Sequence, residues 1–299
     1  MSSSSNSTQL INCLIALSTK NPDFPYPLWE NGFQIETIEP RILLSDKSQA
    51  NPDIQFKQNS DALLFFECKD GHCEKDQLER YKKLTCDDIK RQHSTSLTAQ
   101  DLSFDLAYFT SKQKEEKIIQ SVEKDGNPFP ILILEDSAIK WNPKSQNFKN
   151  PLLRRILTEI PLKTCVPQSF IPFMVDDNDK TILCALLQHF ITKNFVAKTD
   201  YHFTLDELLE ELFSHLIHHY STQARAELKS RLGKLLKILM DKDEFLGKIV
   251  RRGDIYYVLP ERPKSFMKNC QNLITTMKDE LKEEVSKEKS PQQTLAPYF

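Results

Sequence analysis

With 299 residues, 39% of them hydrophobic and 27% charged, the chain has enough apolar material for a packed core and enough length for two folding units. No run approaches the roughly 20 apolar residues that cross a bilayer, and Met1–Thr8 lacks the basic start and cleavage site of a secretory leader, so a cytoplasmic protein with no membrane partner is expected. Forty basic against 42 acidic residues leave a net charge of −2, so a nucleic-acid partner would be held by local patches and not by a general positive field.

From Thr8 to Thr19, Leu10, Ile11, Leu14, Ile15 and Leu17 recur at helical spacing, and Asn21-Pro-Asp-Phe-Pro-Tyr-Pro then stops the helix. Phe33 to Leu44 alternates like a strand interrupted by Pro40. Ile54–Lys57 and Ala62–Lys69 are strand-like runs around the turn-prone Gln58-Asn-Ser-Asp, the pattern of an antiparallel hairpin. A charged helical stretch, Glu74 to Arg91, follows. Phe104–Phe109 and Pro130–Leu134 then read as short buried strands. Residues 1–142 therefore predict an α/β domain with a mixed central sheet flanked by helices, and 143–172, rich in Asn, Lys, Pro and Gln, predict a linker with one short helix near Leu152–Ile160.

Beyond it, Thr181–Phe195, Leu205–Ile217 and Ala224–Met240 read as helices, the second opened by Thr204-Leu-Asp-Glu with a hydroxyl cap and an acidic first turn. Two short strands around Arg252-Gly-Asp follow, and three helices plus a hairpin over 173–262 is the order of a mainly α winged helix-turn-helix domain. Residues 263–299 predict a charged helical tail.

Only 6 glycines are present, and neither glycine-rich phosphate loop occurs, nor a Gly-x-Ser-x-Gly elbow. Seven cysteines at irregular spacing suit free thiols in a reducing compartment. Cys68, His72, Cys73, Cys86 and His93 offer a competing zinc reading, but no Cys-x-x-Cys pair supports it. His215, His218 and His219 read as exposed or capping residues, and Cys13, Cys165, Cys184 and Cys270 as small core hydrophobes.

The strongest chemical signal is Asn51-Pro52-Asp53 followed, after thirteen intervening residues, by Glu67-Cys68-Lys69. Alternation sends Glu67 and Lys69 to one face of the hairpin and Cys68 to the other. With a turn centred near Ser60, Asp53 lies across from Glu67, so two carboxylates and an ammonium meet where two strands end. Such a group, with the Cys68 main-chain carbonyl, suits Mg²⁺ or Mn²⁺ held by oxygen ligands, with the lysine orienting or deprotonating the attacking water and offsetting charge.

Pro52-Asp53 with Glu67-x-Lys69 on a hairpin, followed by a helix, resembles the PD-(D/E)xK nuclease superfamily, and Gln77-Leu-Glu-Arg-Tyr81 resembles the Gln-x-x-x-Tyr pattern of its RecB-like branch. The resemblance spans roughly residues 1–140. It implies a restriction-endonuclease-like fold, Asp53 and Glu67 as metal ligands, Lys69 as catalytic lysine, and Gln77 and Tyr81 touching the DNA backbone or bracing Lys69. Many members carry a glutamate on the first helix; Thr8–Thr19 has no acidic residue, and Glu36 or Glu30 is the expected replacement.

In the second domain Leu228, Leu232, Leu235 and Leu239 form an apolar stripe opposite Arg231, Lys234 and Lys237. With Lys248, Arg251 and Arg252 on the wing they make a cationic surface suited to DNA phosphates. The final Gln292, Leu295, Tyr298 and Phe299 resemble the sliding-clamp-binding peptide, a hydrophobic plug with a glutamine at its rim. The expected function is a metal-dependent DNA nuclease in repair, defence or mobile-element processing, in the nucleoid; the alternative is a noncatalytic DNA-binding or adaptor protein. The sequence leaves a homodimer open.

Overall fold

The computed structural model describes residues 6–58, 62–71, 73–92, 102–126, 128–163, 169–196, 201–259 and 263–289. The chain divides into two bodies, one of residues 5–171 with 213–227, the other of 172–212 and the chain from Leu228 on.

In the first body, α1 (Asn6–Leu17) and the short α2 (Pro27–Glu30) precede β1 (Phe33–Ile38), a small hairpin of β2 (Ile42–Leu43) and β3 (Gln49–Ala50), then β4 (Ile54–Gln58) and β5 (Ala62–Lys69). Next come α3 (Lys75–Lys83), α4 (Cys86–Gln92), β6 (Ser103–Ser111), α5 (Glu115–Asp125), β7 (Ile131–Leu134), β8 (Ala138–Trp141), α6 (Pro151–Ile156) and β9 (Glu159–Pro161). Seven of these strands form one mixed sheet in the order β1-β4-β5-β6-β7-β8-β9. The hairpin pairs β4 and β5 antiparallel, with Ile54 opposite Phe66 and Gln58 opposite Ala62. The crossover through α3 and α4 brings β6 back parallel to β5.

β5 is central, and its run Leu63–Cys68 is buried throughout, which is why Leu63–Phe66 is a continuous apolar stretch and not an alternation. One sheet face, with Leu63, Phe65, Leu106, Tyr108, Ile131 and Ile133, packs on Leu78, Tyr81, Ile89 and Ile118 of the helices. On the other side α1 packs against β5 and β6. From Leu10 to Leu17 every residue of α1 is buried, so this part of the helix is covered on all sides. That burial accounts for its lack of acidic residues. The one side-chain amide of that buried span, Asn12, is satisfied by the main chain of Phe170 and Ile171.

The segment 143–172, expected as a linker, differs. It carries α6 and the sheet's edge strand β9, and the carboxylate of the buried Asp105 accepts hydrogen bonds from the Lys149 and Asn150 amides at 2.8 and 2.9 Å. Asn150 then caps α6 through the Leu152 amide.

The second body holds α7 (Asp179–Val196), β10 (Tyr201–Phe203) and α8 (Leu205–Phe213), then most of α9 (Thr222–Met240), β11 (Ile249–Arg252), β12 (Ile255–Val258) and α10 (Pro263–Lys289). Its sheet order is β10-β12-β11, and Gly253, at φ 62°, supplies the left-handed residue of the β11–β12 turn. α10 packs along α7, burying Phe266, Cys270, Ile274 and Met277 at helical spacing. No helix among the described residues is long and apolar enough to cross a membrane.

Candidate active site

The β4–β5 register sets the centre. Asp53 comes just before β4, one residue past the last ladder pair, Ile54–Phe66, and its amide donates to the Phe66 carbonyl at 2.9 Å. Asp53 Oδ2 accepts the Cys68 amide at 2.5 Å. Cys68 itself is buried, and burial together with the charges of Asp53 and Glu67 pushes its thiol well above the ordinary range, so a neutral thiol lines the core.

Glu67 is 4% exposed, and its carboxylate is held by three donors. Lys69 Nζ lies 2.8 Å from Oε1, Gln77 Nε2 donates to Oε1 at 2.9 Å, and the Tyr81 hydroxyl donates to Oε2 at 2.5 Å. Burial works against the Lys69 ammonium, but the charge and hydrogen bond of Glu67, with Asp53 behind them, more than offset it and raise its pKa above the ordinary 10.5. Lys69 is therefore a fixed cation. It can orient and neutralise, and it does not serve as a base near neutral pH.

Gln77 and Tyr81 share one face of α3 and the Gln77 amide also donates to the Tyr81 hydroxyl at 3.0 Å. Their role differs from the expected one. They brace Glu67 and not Lys69, and Tyr81, 1% exposed, lies out of reach of a DNA backbone. Burial and the Glu67 charge hold the Tyr81 phenol protonated, so it acts as a donor to the carboxylate and sits 3.0 Å from the Asn51 carbonyl.

The expected replacements for a helix-one acid lie elsewhere. Glu36 sits at a bulge in β1 and its carboxylate pairs with Lys57 at 4.0 Å, while Glu30 ends α2 and lines a cavity among Pro22, Tyr26 and Ile160. The acidic residue that the backbone does bring alongside is Glu39, whose amide donates to the Asp53 carbonyl at 2.8 Å. Its left-handed φ of 51° follows no periodic pattern, so strand alternation gives no sign of it.

Could a hard cation sit here? No group of three or more His, Cys, Asp or Glu side chains converges into a metal cluster among the described residues. The available donors are nonetheless all oxygen: the Asp53 and Glu67 carboxylates and the Cys68 carbonyl. Gln77 Oε1 beside them is buried and has no hydrogen-bond partner among the described residues. Two carboxylates plus carbonyls and water is a donor set that Mg²⁺ accepts, so the residues fit the ion. Of the donors of the zinc alternative, Cys68 and Cys73 are buried in the core and Cys86 donates to the Leu102 carbonyl; outside that set, His215 and His218 are exposed. His72, His93 and Cys165 lie outside the described residues.

In the second body the basic residues separate. The Arg231 guanidinium is spent on the Val175 carbonyl and on Asp179, which removes it from the expected DNA-facing set. Lys248 donates to the Glu244 carbonyl at 2.7 Å, and Arg251 to the Gly253 carbonyl at 2.8 Å. Lys234 and Lys237 are exposed on α9, and Arg252 is exposed on β11. Gln292, Leu295, Tyr298 and Phe299 lie outside the described residues.

A family model described as the MJECL32 domain matches residues 6–171, more than half of the chain. No curated protein and no solved structure matches.

Proposed function

The chain belongs to the MJECL32 domain family through residues 6–171, and from the polar centre inside that segment we propose that it is a divalent-metal-dependent deoxyribonuclease of the PD-(D/E)xK type. The observation that carries the reading is the buried Glu67 carboxylate joined to Lys69 at 2.8 Å, with the Asp53 carboxylate bound to the amide of Cys68, the residue between them. The topology agrees: three antiparallel strands, β1, β4 and β5, are followed by a helical crossover and a strand, β6, parallel to β5.

Asp53, Glu67 and the Cys68 carbonyl would hold Mg²⁺ or Mn²⁺. Bound there, such an ion polarises a phosphodiester oxygen and lowers the cost of generating hydroxide from water. Lys69, kept charged, orients the incoming water and offsets the negative charge that grows on the phosphorus oxygens. Tyr81 and Gln77 hold the Glu67 carboxylate in one rotamer, which fixes both the ligand geometry and the lysine. With Glu67 only 4% exposed, bulk water does little to screen these charges.

The second body, with its helices and terminal hairpin, is read as a winged helix that positions DNA, with Lys234 and Lys237 of α9 as candidate phosphate contacts. The peptide ending at Phe299 would tether the protein to a sliding clamp. One observation favours a noncatalytic DNA-binding protein instead: Glu67 is already engaged by three donors.

Purified protein incubated with linear and supercoiled duplex and millimolar Mg²⁺ or Mn²⁺ separates the two. Cleavage that disappears in Asp53→Ala and in Lys69→Ala, with folding preserved, supports the nuclease. Wild-type protein that cuts neither substrate with either metal leaves the noncatalytic reading.

A further inference from the structure

The small sheet of the second body has two unlike faces. Tyr201 and Phe203 of β10, Ile249 of β11, and Tyr256 and Val258 of β12 point to the buried one. The other carries His202, Val250, Arg252, Ile255 and Tyr257, none of them buried, with His202 and Arg252 exposed. None of these five side chains is acidic.

Tyr257 organises this outer face from the middle strand. The Arg252 guanidinium lies 5.3 Å from its ring centroid, and the His202 ring stacks beside it at 5.9 Å and 28°. Arg252 makes no hydrogen bond or ion pair to another described residue, which sets it apart from Arg231, Arg251 and Lys248. The acids nearby are engaged: Asp254 reaches Arg251 at 3.5 Å, and Glu207 accepts the Thr204 amide at 2.7 Å. A guanidinium pinned over a ring has already lost rotamer freedom, so an incoming anion is bound at a smaller entropic cost. Guanidinium, phenol and imidazole stand side by side over three strands, a row about 10 Å wide at the usual strand spacing. That width exceeds one phosphate and suits a repeating line of them.

We propose that this outer face of the β10-β12-β11 sheet docks the sugar-phosphate backbone of duplex DNA, with Arg252, Tyr257 and His202 contacting phosphates and Val250 and Ile255 lying against the sugars. The surface deepens the DNA-acting reading above and moves the contact from α9 to the sheet. It rests on that reading for the identity of the ligand alone.

The test is fluorescence anisotropy of a labelled duplex with the full chain in chelator, where cleavage plays no part. Removing one phosphate contact by Arg252→Ala should weaken binding about 5- to 10-fold and reduce the slope of log K against log salt by about 1. His202→Ala should weaken it about 2- to 3-fold, and both variants should keep the wild-type unfolding midpoint because the side chains are exposed. Wild-type affinity and slope in both variants would overturn the proposal, above all if Lys234→Ala with Lys237→Ala abolished binding. Tighter binding of an RNA duplex of equal length, or no binding of DNA by the wild type, would also overturn it. Binding that depends on Arg252 in a protein that cuts nothing would remove the nuclease and leave this surface standing.

Discussion

Replacing Lys69 by Met tests the electrostatics of the centre without any assumption about substrate. The Lys69–Glu67 pair is 2.8 Å long, with side chains 16% and 5% exposed. At an effective dielectric of about 20, that distance gives a gross attraction of roughly 6 kcal/mol, most of it cancelled by the desolvation of both charges. Deleting only the ammonium leaves the carboxylate buried. Loss of one partner of a buried pair costs about 3–5 kcal/mol, and the surviving donors Tyr81 and Gln77 argue for the lower end, about 3 kcal/mol. For a body of this size that is a fall in Tm of about 6–12 °C. The assay is thermal and urea unfolding in chelator, for Lys69→Met, Glu67→Gln and the double variant. The double variant should recover about 2 kcal/mol relative to additivity, since neither charge is then left alone. In the wild type the sign is set by a lysine pKa raised above 10.5: the lysine's contribution is fully present just below that value and is lost as pH rises through the higher folded value. A Lys69→Met cost under about 1 kcal/mol with no coupling to Glu67 would refute the reasoning.

Tyr81→Phe removes a hydroxyl that donates to a buried carboxylate, and it should cost about 2 kcal/mol in urea unfolding; an effect within about 0.5 kcal/mol would mean that Gln77 and Lys69 satisfy Glu67 alone. In the second body His189 Nε2 sits 2.9 Å from Glu211 and 3.1 Å from the Tyr201 hydroxyl, and burial lowers its pKa from 6.5 despite the glutamate. A depressed histidine pKa means stability that is full above 6.5 and falls as pH drops below it, so His189→Gln should flatten the acid limb of the stability profile; an unchanged limb would count against it.

Much of the centre was legible before folding. The apolar run Leu63–Phe66 between turn residues fixes β5 as central, and period-2 alternation then decides which of Glu67, Cys68 and Lys69 share a face. What pairs with what across the crossover was not legible. Tyr81 meets Glu67 because α3 returns over β5, and no local spacing encodes that return. Residues 143–172 read as a linker because their organisation comes from a distant carboxylate, Asp105, satisfying two of their amides. Strand β8 was missed for its length, four residues with too few alternations to register. Arg231 looked free on a helical wheel, yet its partners Val175 and Asp179 lie more than 50 positions away in the chain.

The most direct measurement is the anomalous signal of Mn²⁺ diffused into crystals of the protein. The account predicts a peak between Asp53 and Glu67, about 2.1 Å from an oxygen of each and from the Cys68 carbonyl, lost in Asp53→Asn. A manganese-free site, with Lys69 still clasping Glu67 at saturating metal, would contradict it.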